Sequence, residues 1–467
     1  MLFSSIEFLY YFLPIVLILY FAVPFKFKNL VLLLSSLFFY FYGEPVYTLL
    51  MLGTTLSSYI HGLLIDKFRG KKLSKVFLIS SVVTSILVLG FFKYSDFFVS
   101  NVNSILKTDL ALLGLALPIG ISFYTFQTLS YTIDVYRGDA QVQKSFIRLA
   151  TYVALFPQLI AGPIVRYTTV ENELSHRTHS FENFSYGVNR FIIGLSKKVL
   201  VADTMSALAT AMSGMTEQTV GGMWIYSLAN YLFIYFDFSA YSDMAIGLGR
   251  IFGFHFLENF NYPFISKSVS EFWRRWHMSL GTWFRDYIYI PLGGNRVALP
   301  KWMFNTFMVW FITGFWHGAD WTFIIWGLYF FVFLVMEKFF LQKLLNKLPR
   351  FVTHIYVTVV IAISFVIFSG AGLKGMLADL GAMFGTRGLA FWSKETTYHL
   401  VGYMFALAAA IFGATPALKN LFAKLHENEK ICRALNVLEP IFHIVLLLLV
   451  TAYFVDGSFS PFLYFRF

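Results

Sequence analysis

The chain alternates apolar runs with short polar connections that carry most of the basic residues. The apolar runs lie near residues 8–24, 30–42, 46–65, 76–93, 111–133, 149–165, 186–211, 224–250, 303–316, 318–336, 353–370, 399–414 and 438–456. Several are too short to cross a bilayer as straight helices, which need about 20 apolar residues. The pattern therefore predicts an all-α polytopic membrane protein of about 11–13 membrane segments, some of them tilted, paired or re-entrant.

Residues 259–296, NFNYPFISKSVSEFWRRWHMSLGTWFRDYIYIPLGGNR, interrupt this pattern because they are too polar to cross lipid. Ser268 followed by Glu271 forms a capping box, so a helix should begin there. Apolar residues then recur at spacings of three and four, at Phe272, Trp276, Leu280, Trp283 and Tyr287. We predict an amphipathic helix that lies at the interface or dips into the protein, ended by the glycine-rich turn at 291–295. A surface helix fits the pattern, but the Trp and Arg residues around His277 favour the wall of a cavity.

Composition supports the membrane assignment. Hydrophobic residues make up 58% of the chain and charged residues 13%, about half the usual share of charge in a globular protein. The net charge of +11 comes from short Lys and Arg clusters between apolar runs, which is typical of cytoplasmic loops rather than of a nucleic-acid-binding surface. Lys26 and Lys28 follow the first apolar run, so we predict that the N-terminus is extracytoplasmic. The later basic clusters predict that the C-terminus is extracytoplasmic as well.

Polar residues also fall inside the apolar runs. They are Gln127, Asp134, Gln158, Arg166, Asp237, Asp243, His255, His317 and Asp320. A lone Asp, Lys or Arg at the centre of a membrane helix costs roughly 2.5–3.5 kcal/mol, so these groups predict pairing or a polar passage. Asp237 and Asp243 could be helix caps or arginine partners. A transporter and a membrane-embedded enzyme both fit such a passage.

His277 and His317 differ from the other histidines because each lies among Trp, Gly and acidic residues. In TGFWHGADW, His317 and Asp320 are three residues apart and would share one side of a helix. A neutral imidazole is suited to remove a proton from a hydroxyl at neutral pH, and Asp320 or Asp286 could orient the ring. The spacing alone does not separate catalysis from structure. The sequence has no nucleophile elbow, phosphate loop or H-E-x-x-H zinc motif, so no metal is expected.

Four blocks resemble the membrane-bound O-acyltransferase (MBOAT) family. They are FWRRWHMSLGTWFRDYIYIPLGGNR, GFWHGADWTFIIWG, SFYTFQTLSYTIDVYRGD and LFPQLIAGPIVRY. The bacterial branch of that family covers alginate O-acetylation, peptidoglycan O-acetylation and teichoic-acid D-alanylation, and the blocks favour the alginate type. No repeat or linker is visible, so we expect one membrane domain over 1–467. The resemblance covers a core at 1–370 and leaves C-terminal helices and an aromatic tail at 371–467.

The resemblance implies a ring of tilted helices around a thin central tunnel, with His317 as the catalytic residue and His277 as the second site histidine. Residues around them would line the tunnel or contact substrate, namely Arg274, Trp276, Arg285, Asp286, Trp316 and Asp320. Members take an acyl group from a cytoplasmic thioester, acetyl-CoA or an acylated carrier protein, and deliver it outward with no permanently bound cofactor. His317 would then act as general base, and His277 or another tunnel donor would stabilise the oxyanion.

The C-terminal sequence GSFSPFLYFRF resembles an aromatic motif of the same systems, with Phe462, Tyr464 and Phe467 at the matching positions. That resemblance implies that Tyr464 accepts the acyl group, although an interfacial aromatic anchor also fits. Similar systems pair the membrane subunit with an extracytoplasmic serine-hydrolase-like acyltransferase. We therefore expect a multi-pass protein of the bacterial cytoplasmic membrane that acylates a cell-wall or exopolysaccharide acceptor, most simply with acetyl. D-alanyl transfer to teichoic acid, a transporter without chemistry and a membrane scaffold are the alternatives.

Overall fold

The computed structural model describes residues 1–457 and Phe462, and in this part of the chain every regular element is a helix. The α-helices are α1 (Leu13–Ala22), α2 (Phe25–Phe41), α3 (Pro45–Lys67), α4 (Lys72–Leu106), α5 (Ile121–Arg137), α6 (Phe146–Ala154), α7 (Tyr167–Val170), α8 (Phe181–Ser196), α9 (Asp203–Ser213), α10 (Val220–Ile251), α11 (Val269–Arg275), α12 (Met278–Phe284), α13 (Leu299–His317), α14 (Trp321–Met336), α15 (Gln342–Leu345), α16 (Arg350–Ser369), α17 (Gly372–Met383), α18 (Lys394–Gly413), α19 (Ala417–His426) and α20 (Glu429–Val455). Wider π-helical turns occur at Glu7–Phe12, Lys197–Ala202, Arg285–Tyr289 and Glu337–Leu341, and a 3₁₀ turn at Pro263–Ile265.

Six helical segments among the described residues are long and apolar enough to cross a membrane. They are Pro45–Lys67, Lys72–Leu106, Trp321–Leu345, Arg350–Ser369, Lys394–Gly413 and Glu429–Val455. The apolar stretch of α4 leaves almost all of its side chains on the surface, as expected of a helix that faces lipid tails. The prediction of an all-α polytopic membrane protein is therefore confirmed, whereas the ring around a tunnel stays a prediction.

Two predicted apolar runs are helical only in part. The run at 111–133 becomes helical at Ile121, after Pro118 and a left-handed Gly120. The run at 149–165 is helical only to Ala154, because the sequence FPQLIAGP that follows carries two prolines, which cannot donate helix hydrogen bonds.

The contacts divide the described chain into two compact units. The first contains Met1–Phe191 and Tyr241–Leu257, and the second contains Ile192–Ala240 and the described residues from Glu258 onward. Aromatic rings form the centre of the first unit, where Phe156 packs against Phe12 and Phe39 with ring centroids 5.3 and 5.6 Å apart. Both candidate histidines belong to the second unit.

Acidic residues within α10 are paired rather than isolated. In the first unit, Asp243 accepts from the Arg190 guanidinium, with Nη2 and Oδ1 2.7 Å apart. In the second unit, the Asp237 carboxylate lies 3.0 Å from Lys198 Nζ. The arginine partner predicted as one possibility is thus present for Asp243, while Asp237 has a lysine partner instead. Both lie inside the helix, so neither is a cap.

Helices α13 and α14 form a tightly packed hairpin in the second unit. A β-carbon on Gly327 would lie 2.3 Å from the backbone oxygen of Trp310, and one on Gly314 would lie 2.4 Å from the backbone oxygen of Phe323. Real side chains do not approach backbone atoms so closely, so both positions need glycine. This approach fixes the position of His317, the last residue of α13.

The amphipathic segment begins where the sequence predicts and then departs from one continuous helix. The Ser268 hydroxyl accepts from the Glu271 backbone N–H at 3.1 Å, so the predicted N-cap is confirmed. The helix breaks, however, at Trp276 and His277, because His277 adopts a left-handed backbone with φ of 44°. A new helix, α12, then begins at Met278.

Candidate active site

His317 and Asp320 do not share a helix, so that prediction is wrong. Helix α13 ends at His317, and Gly318 is extended with φ of −167°. Asp320 begins the next helix as its N-cap, and its carboxylate accepts from the Thr322 backbone N–H at 2.8 Å. The structure therefore gives Asp320 the role of a helix cap.

The imidazole of His317 is buried among aromatic rings. Trp316 and Trp326 each lie 4.9 Å from it between ring centroids, and Phe368 lies 5.4 Å away. Trp316 belongs to α13, Trp326 to α14 and Phe368 to α16, so three helices surround the ring. A low-polarity pocket of this kind strengthens any hydrogen bond or charge that a substrate brings to the ring.

His277 is held by one amide side chain. The Asn259 Oδ1 lies 3.1 Å from His277 Nδ1, 3.2 Å from the Ser279 backbone nitrogen and 2.8 Å from Ser279 Oγ. A backbone N–H can only donate, which identifies the atom facing Ser279 as the amide oxygen. Since that oxygen can only accept, His277 Nδ1 must carry the proton.

The neutral His277 ring consequently presents an acceptor to the site. Burial lowers the pKa of its imidazole to about 3, so the ring is neutral at pH 7. Its proton is on Nδ1, which leaves a lone pair on Nε2, and Nε2 is buried with no hydrogen-bond partner among the described residues. A neutral ring of this tautomer cannot donate from Nε2, which argues against the oxyanion role that the sequence analysis offered for His277.

The two histidines belong to one aromatic cluster. The Trp316 ring packs near both, with its centroid 6.5 Å from that of His277 and 4.9 Å from that of His317. Phe238 of α10 packs edge-on against His277 at 4.6 Å. The structure therefore brings together the rings of His277, His317 and Trp316. It also buries Trp276, which stacks on Phe272 at 5.4 Å.

Two indole groups at this cluster carry buried donors. Trp326 Nε1 and Trp273 Nε1 have no hydrogen-bond partner among the described residues. Their rings lie 5.5 Å apart, and Trp326 packs directly against His317. A buried N–H without an acceptor is costly and calls for an explanation, such as a polar atom supplied by a ligand.

A cavity of about 610 Å³ lies next to Trp310, a neighbour of both Trp273 and Trp326. It is lined by Lys267, Ser268, Ser270, Glu271, Arg274, Tyr289, Trp302, Thr306, Val309, Trp310, Leu334, Glu337, Lys338 and Gln342. The lining includes basic side chains and Trp310. The ring centroid of Trp310 lies 4.8 Å from that of Trp273 and 6.4 Å from that of Trp326. The cavity lining therefore contacts the aromatic cluster of His317 through Trp310 alone among these rings. Arg274, predicted as a substrate-contacting residue, is part of its lining.

The remaining predicted site residues lie elsewhere. Arg285 and Asp286 form an ion pair with each other, with Nε and Oδ1 2.6 Å apart, in the π-helical turn after α12. Phe462 is buried against the Lys198 ammonium group. Tyr464 and Phe467 lie outside the described residues. Within residues 1–457 and Phe462, no cluster of His, Cys, Asp or Glu has the composition to hold a metal ion.

Sequence reasoning missed Asn259 and Trp326 at this site, and Lys198 in the same unit. Asn259 and His277 are 18 positions apart, so no local spacing could join them. Trp326 resembles any aromatic residue of an apolar helix. Lys198 did carry a signal, because it lies in the middle of the apolar run predicted at 186–211, where a lysine needs a partner.

The fold and site define a multi-pass membrane protein with two buried histidines in one aromatic cluster. A profile of the membrane-bound O-acyltransferase family, MBOAT, matches residues 46–378. The chain therefore belongs to this family and is an O-acyltransferase.

Three relatives indicate where the chain stands within that family. It is 43% identical over 393 residues to a probable alginate O-acetylase, AlgI, of Pseudomonas aeruginosa, covering 82% of this chain and 75% of that protein. It is 34% identical over 438 residues to a peptidoglycan O-acetyltransferase of Helicobacter pylori, covering 86% of this chain and 83% of that protein. A teichoic acid D-alanyltransferase of Bacillus subtilis is 30% identical over 272 residues, covering 54% of this chain and 68% of that protein. The similarity is thus greater, over more of the chain, to the two acetyl-transferring relatives.

Proposed function

We propose that this protein moves an acetyl group from a cytoplasmic thioester to a hydroxyl acceptor on the far side of the bacterial cytoplasmic membrane. The observation that carries the proposal is the shared aromatic pocket of His317 and His277, joined by Trp316. The names of the two acetyl-transferring relatives favour acetyl over D-alanyl and a polysaccharide as the final acceptor.

The cavity beside Trp310 is the proposed donor entrance. Lys267, Arg274 and Lys338 contribute positive charge to its lining, which suits the phosphate groups of acetyl-CoA or of a carrier protein's pantetheine arm. Lys338 also begins a basic cluster that the positive-inside rule assigns to the cytoplasm. The pantetheine arm would extend from these charges toward Trp326 and His317, with the thioester at its end.

The transfer itself needs one base and one leaving group. His317 removes the proton of the acceptor hydroxyl, and the oxygen attacks the thioester carbonyl carbon. The tetrahedral intermediate collapses, the C–S bond breaks, and the imidazolium returns its proton to the thiolate. Because His317 is the last residue of α13, the negative end of the helix dipole stabilises the transient imidazolium by roughly 0.3–1 kcal/mol.

The indole N–H groups of Trp326 and Trp273 are the proposed donors to the oxyanion. Both are buried and lack an acceptor among the described residues, so a developing negative charge would meet preorganised donors in a dry pocket. His277 has a different role in this scheme. Its Nε2 lone pair accepts a hydrogen bond from the donor, such as an amide N–H of the pantetheine arm, and so positions the thioester.

The acceptor in this proposal is Tyr464 or a hydroxyl of a partner protein. An acyl-tyrosine would then be emptied by an extracytoplasmic serine-hydrolase-like acyltransferase, which passes the group to the polysaccharide. Both chain termini would lie on that outer side. If the donor is instead a D-alanyl carrier protein, the same pocket and chemistry apply, and the carrier replaces acetyl-CoA as the cytoplasmic partner.

The decisive experiment uses the purified full-length protein in lipid nanodiscs with labelled acetyl-CoA. His317→Ala should abolish thioester cleavage, whereas His426→Ala, at an exposed position on α19, should leave it unchanged. Full cleavage by the His317→Ala protein would rule out the proposed base. Offering a D-alanyl carrier thioester in parallel separates the two donors. Substrate movement without thioester cleavage in the wild-type protein would favour a transporter.

A further inference from the structure

A buried ion cluster lies beside the site in the second unit and has no part in the proposed chemistry. The Lys198 side chain is completely buried, and its Nζ lies 2.6 Å from Asp203 Oδ1 and 3.0 Å from Asp237 Oδ1. A lone lysine would be too costly in such surroundings, and the two carboxylates offset that cost. An ammonium held in this way is rigid and desolvated.

The π-helical turn Lys197–Ala202 creates this arrangement. The Asp203 backbone N–H donates to the Lys198 carbonyl oxygen across the widened turn. Residues five positions apart thereby lie one above the other, so the Asp203 carboxylate reaches the ammonium of Lys198. An α-helix would bring residues three or four apart together instead. Such single π-turns often occur at functional positions.

The cluster holds an aromatic residue of the C-terminal tail. The Lys198 Nζ lies 5.0 Å from the ring centroid of Phe462, which is itself buried. This is a cation–π contact, and such contacts are strongest where the cation is removed from water. Phe462 is also one of the three aromatic residues of the C-terminal motif.

The same cluster is covalently next to the active site. Asp237 binds Lys198, and the following residue, Phe238, packs on His277 with ring centroids 4.6 Å apart. A residue that docks on Lys198 is therefore connected to the His277 pocket through one dipeptide of α10. Tyr464 follows Phe462 by two positions, a reach of about 7 Å along an extended chain.

We infer that Lys198, fixed by Asp203 and Asp237, is the docking site that anchors the C-terminal tail through Phe462. The anchor stands on its own contacts. Its consequence for activity rests on the proposed function, because Lys198 then acts as a positioning residue for the segment that carries the acceptor Tyr464.

Tail protection tests the anchor without any measurement of activity. The full-length protein in nanodiscs is treated with a carboxypeptidase, and intact mass spectrometry follows loss of the last residues. Wild-type protein and Phe462→Tyr, which keeps an aromatic face, should be trimmed slowly. Phe462→Leu keeps an apolar side chain but removes the π face, and it should be trimmed about tenfold faster or more. Equal trimming of all three proteins would overturn the anchor.

A second variant removes the cation without leaving buried negative charge. The triple change Lys198→Met, Asp203→Asn and Asp237→Asn is neutral and close in volume, so it should fold. Its tail should be trimmed as fast as that of Phe462→Leu. A folded triple variant whose tail stays protected would contradict the role of Lys198.

Acyl transfer measured on the same variants separates the two proposals. Tail release accompanied by loss of acyl-tyrosine, with thioester hydrolysis by His317 retained, supports both the anchor and the Tyr464 acceptor. Tail release with unchanged transfer supports the anchor and rejects Tyr464 as acceptor. Absence of tail release rejects the anchor, whatever the activity does.

Discussion

The tautomer of His277 gives the most demanding test of the proposed mechanism. Asn259→Ala removes the oxygen that accepts from His277 Nδ1, from Ser279 Oγ and from the Ser279 backbone N–H. The Ser279 hydroxyl lies 3.4 Å from His277 Nδ1, so it can turn and donate to that nitrogen. The ring would then transfer its proton to Nε2. The acceptor that faces the site would become a donor.

The structure sets the size of the effect. After the hydroxyl turns, the Ser279 backbone N–H is left without an acceptor, which costs about 1–3 kcal/mol, and the missing amide leaves a small cavity. We expect the free energy of unfolding to fall by about 2–4 kcal/mol in total. We expect the acyl-transfer rate to fall further than this destabilisation explains, by about a hundredfold in folded protein, because substrate positioning by Nε2 is lost.

The assay combines transfer from acetyl-CoA in nanodiscs with thermal unfolding followed by tryptophan fluorescence. Ser279→Ala is the matched control, since it removes one hydrogen bond from Asn259 but leaves the His277 Nδ1–H contact. It should cost about 1 kcal/mol of stability and keep nearly full activity. Heteronuclear NMR of labelled histidine can report which ring nitrogen is protonated. Wild-type acetyl transfer by folded Asn259→Ala, or an equal loss of transfer in Ser279→Ala, would refute the proposed role of His277 Nε2.

Four further outcomes are expected. Gly327→Ala should destabilise the α13–α14 hairpin by several kcal/mol and abolish activity, because its β-carbon would lie 2.3 Å from a backbone oxygen; Gly402→Ala, with nothing within 4 Å, should be harmless by thermal unfolding and transfer. Trp326→Phe keeps the ring packing but removes the orphan N–H, so kcat should fall about 10²-fold without loss of thermal stability; an unchanged kcat would exclude this donor. The sole cysteine, Cys432, lies in the basic cluster 419–433, which the positive-inside rule assigns to the cytoplasm, so an impermeant maleimide should label it only in permeabilised cells; labelling of intact cells would contradict the predicted topology. Because burial lowers the pKa of His277 to about 3 from an ordinary value near 6.5, only the unfolded chain takes up this proton as the pH falls from 6 to 4, and stability should drop by up to about 1.4 kcal/mol per pH unit from this group. His277→Gln should make that dependence shallower, and an unchanged slope would refute the assignment.

Features encoded by local spacing were predictable from the sequence. The Ser268 cap depends on residues three positions apart, and the glycine-rich turn after α12 follows directly from its composition. The positions of most helices were also predictable, because an apolar run is a local property of the sequence. Local spacing failed at His317 and Asp320, because Gly318 ends the helix between them and the chain continues in an extended conformation.

Features that depend on distant contacts could not be predicted. The amide that orients His277 lies 18 positions away, on an irregular segment before α11. The left-handed backbone of His277 is unusual for a residue with a β-carbon, and nothing in RRWHMSL indicates it. The pairing of Lys198 with Asp237 spans 39 positions, and only the fold reveals that the lysine within an apolar run has two carboxylate partners.

The buried polar atoms follow a division that bears on catalysis. The buried ammonium group of Lys198 is balanced within the protein by the carboxylates of Asp203 and Asp237. The uncharged groups His277 Nε2 and Trp326 Nε1 have no hydrogen-bond partner among the described residues. An unsatisfied neutral group costs far less than an unsatisfied charge, so it can be kept ready in the folded protein until a substrate supplies its partner. An acyl thioester brings a carbonyl oxygen for the indole and amide N–H groups for the imidazole. These two unsatisfied atoms are therefore where substrate binding should yield the largest gain, and where conservative substitutions should separate catalysis from folding.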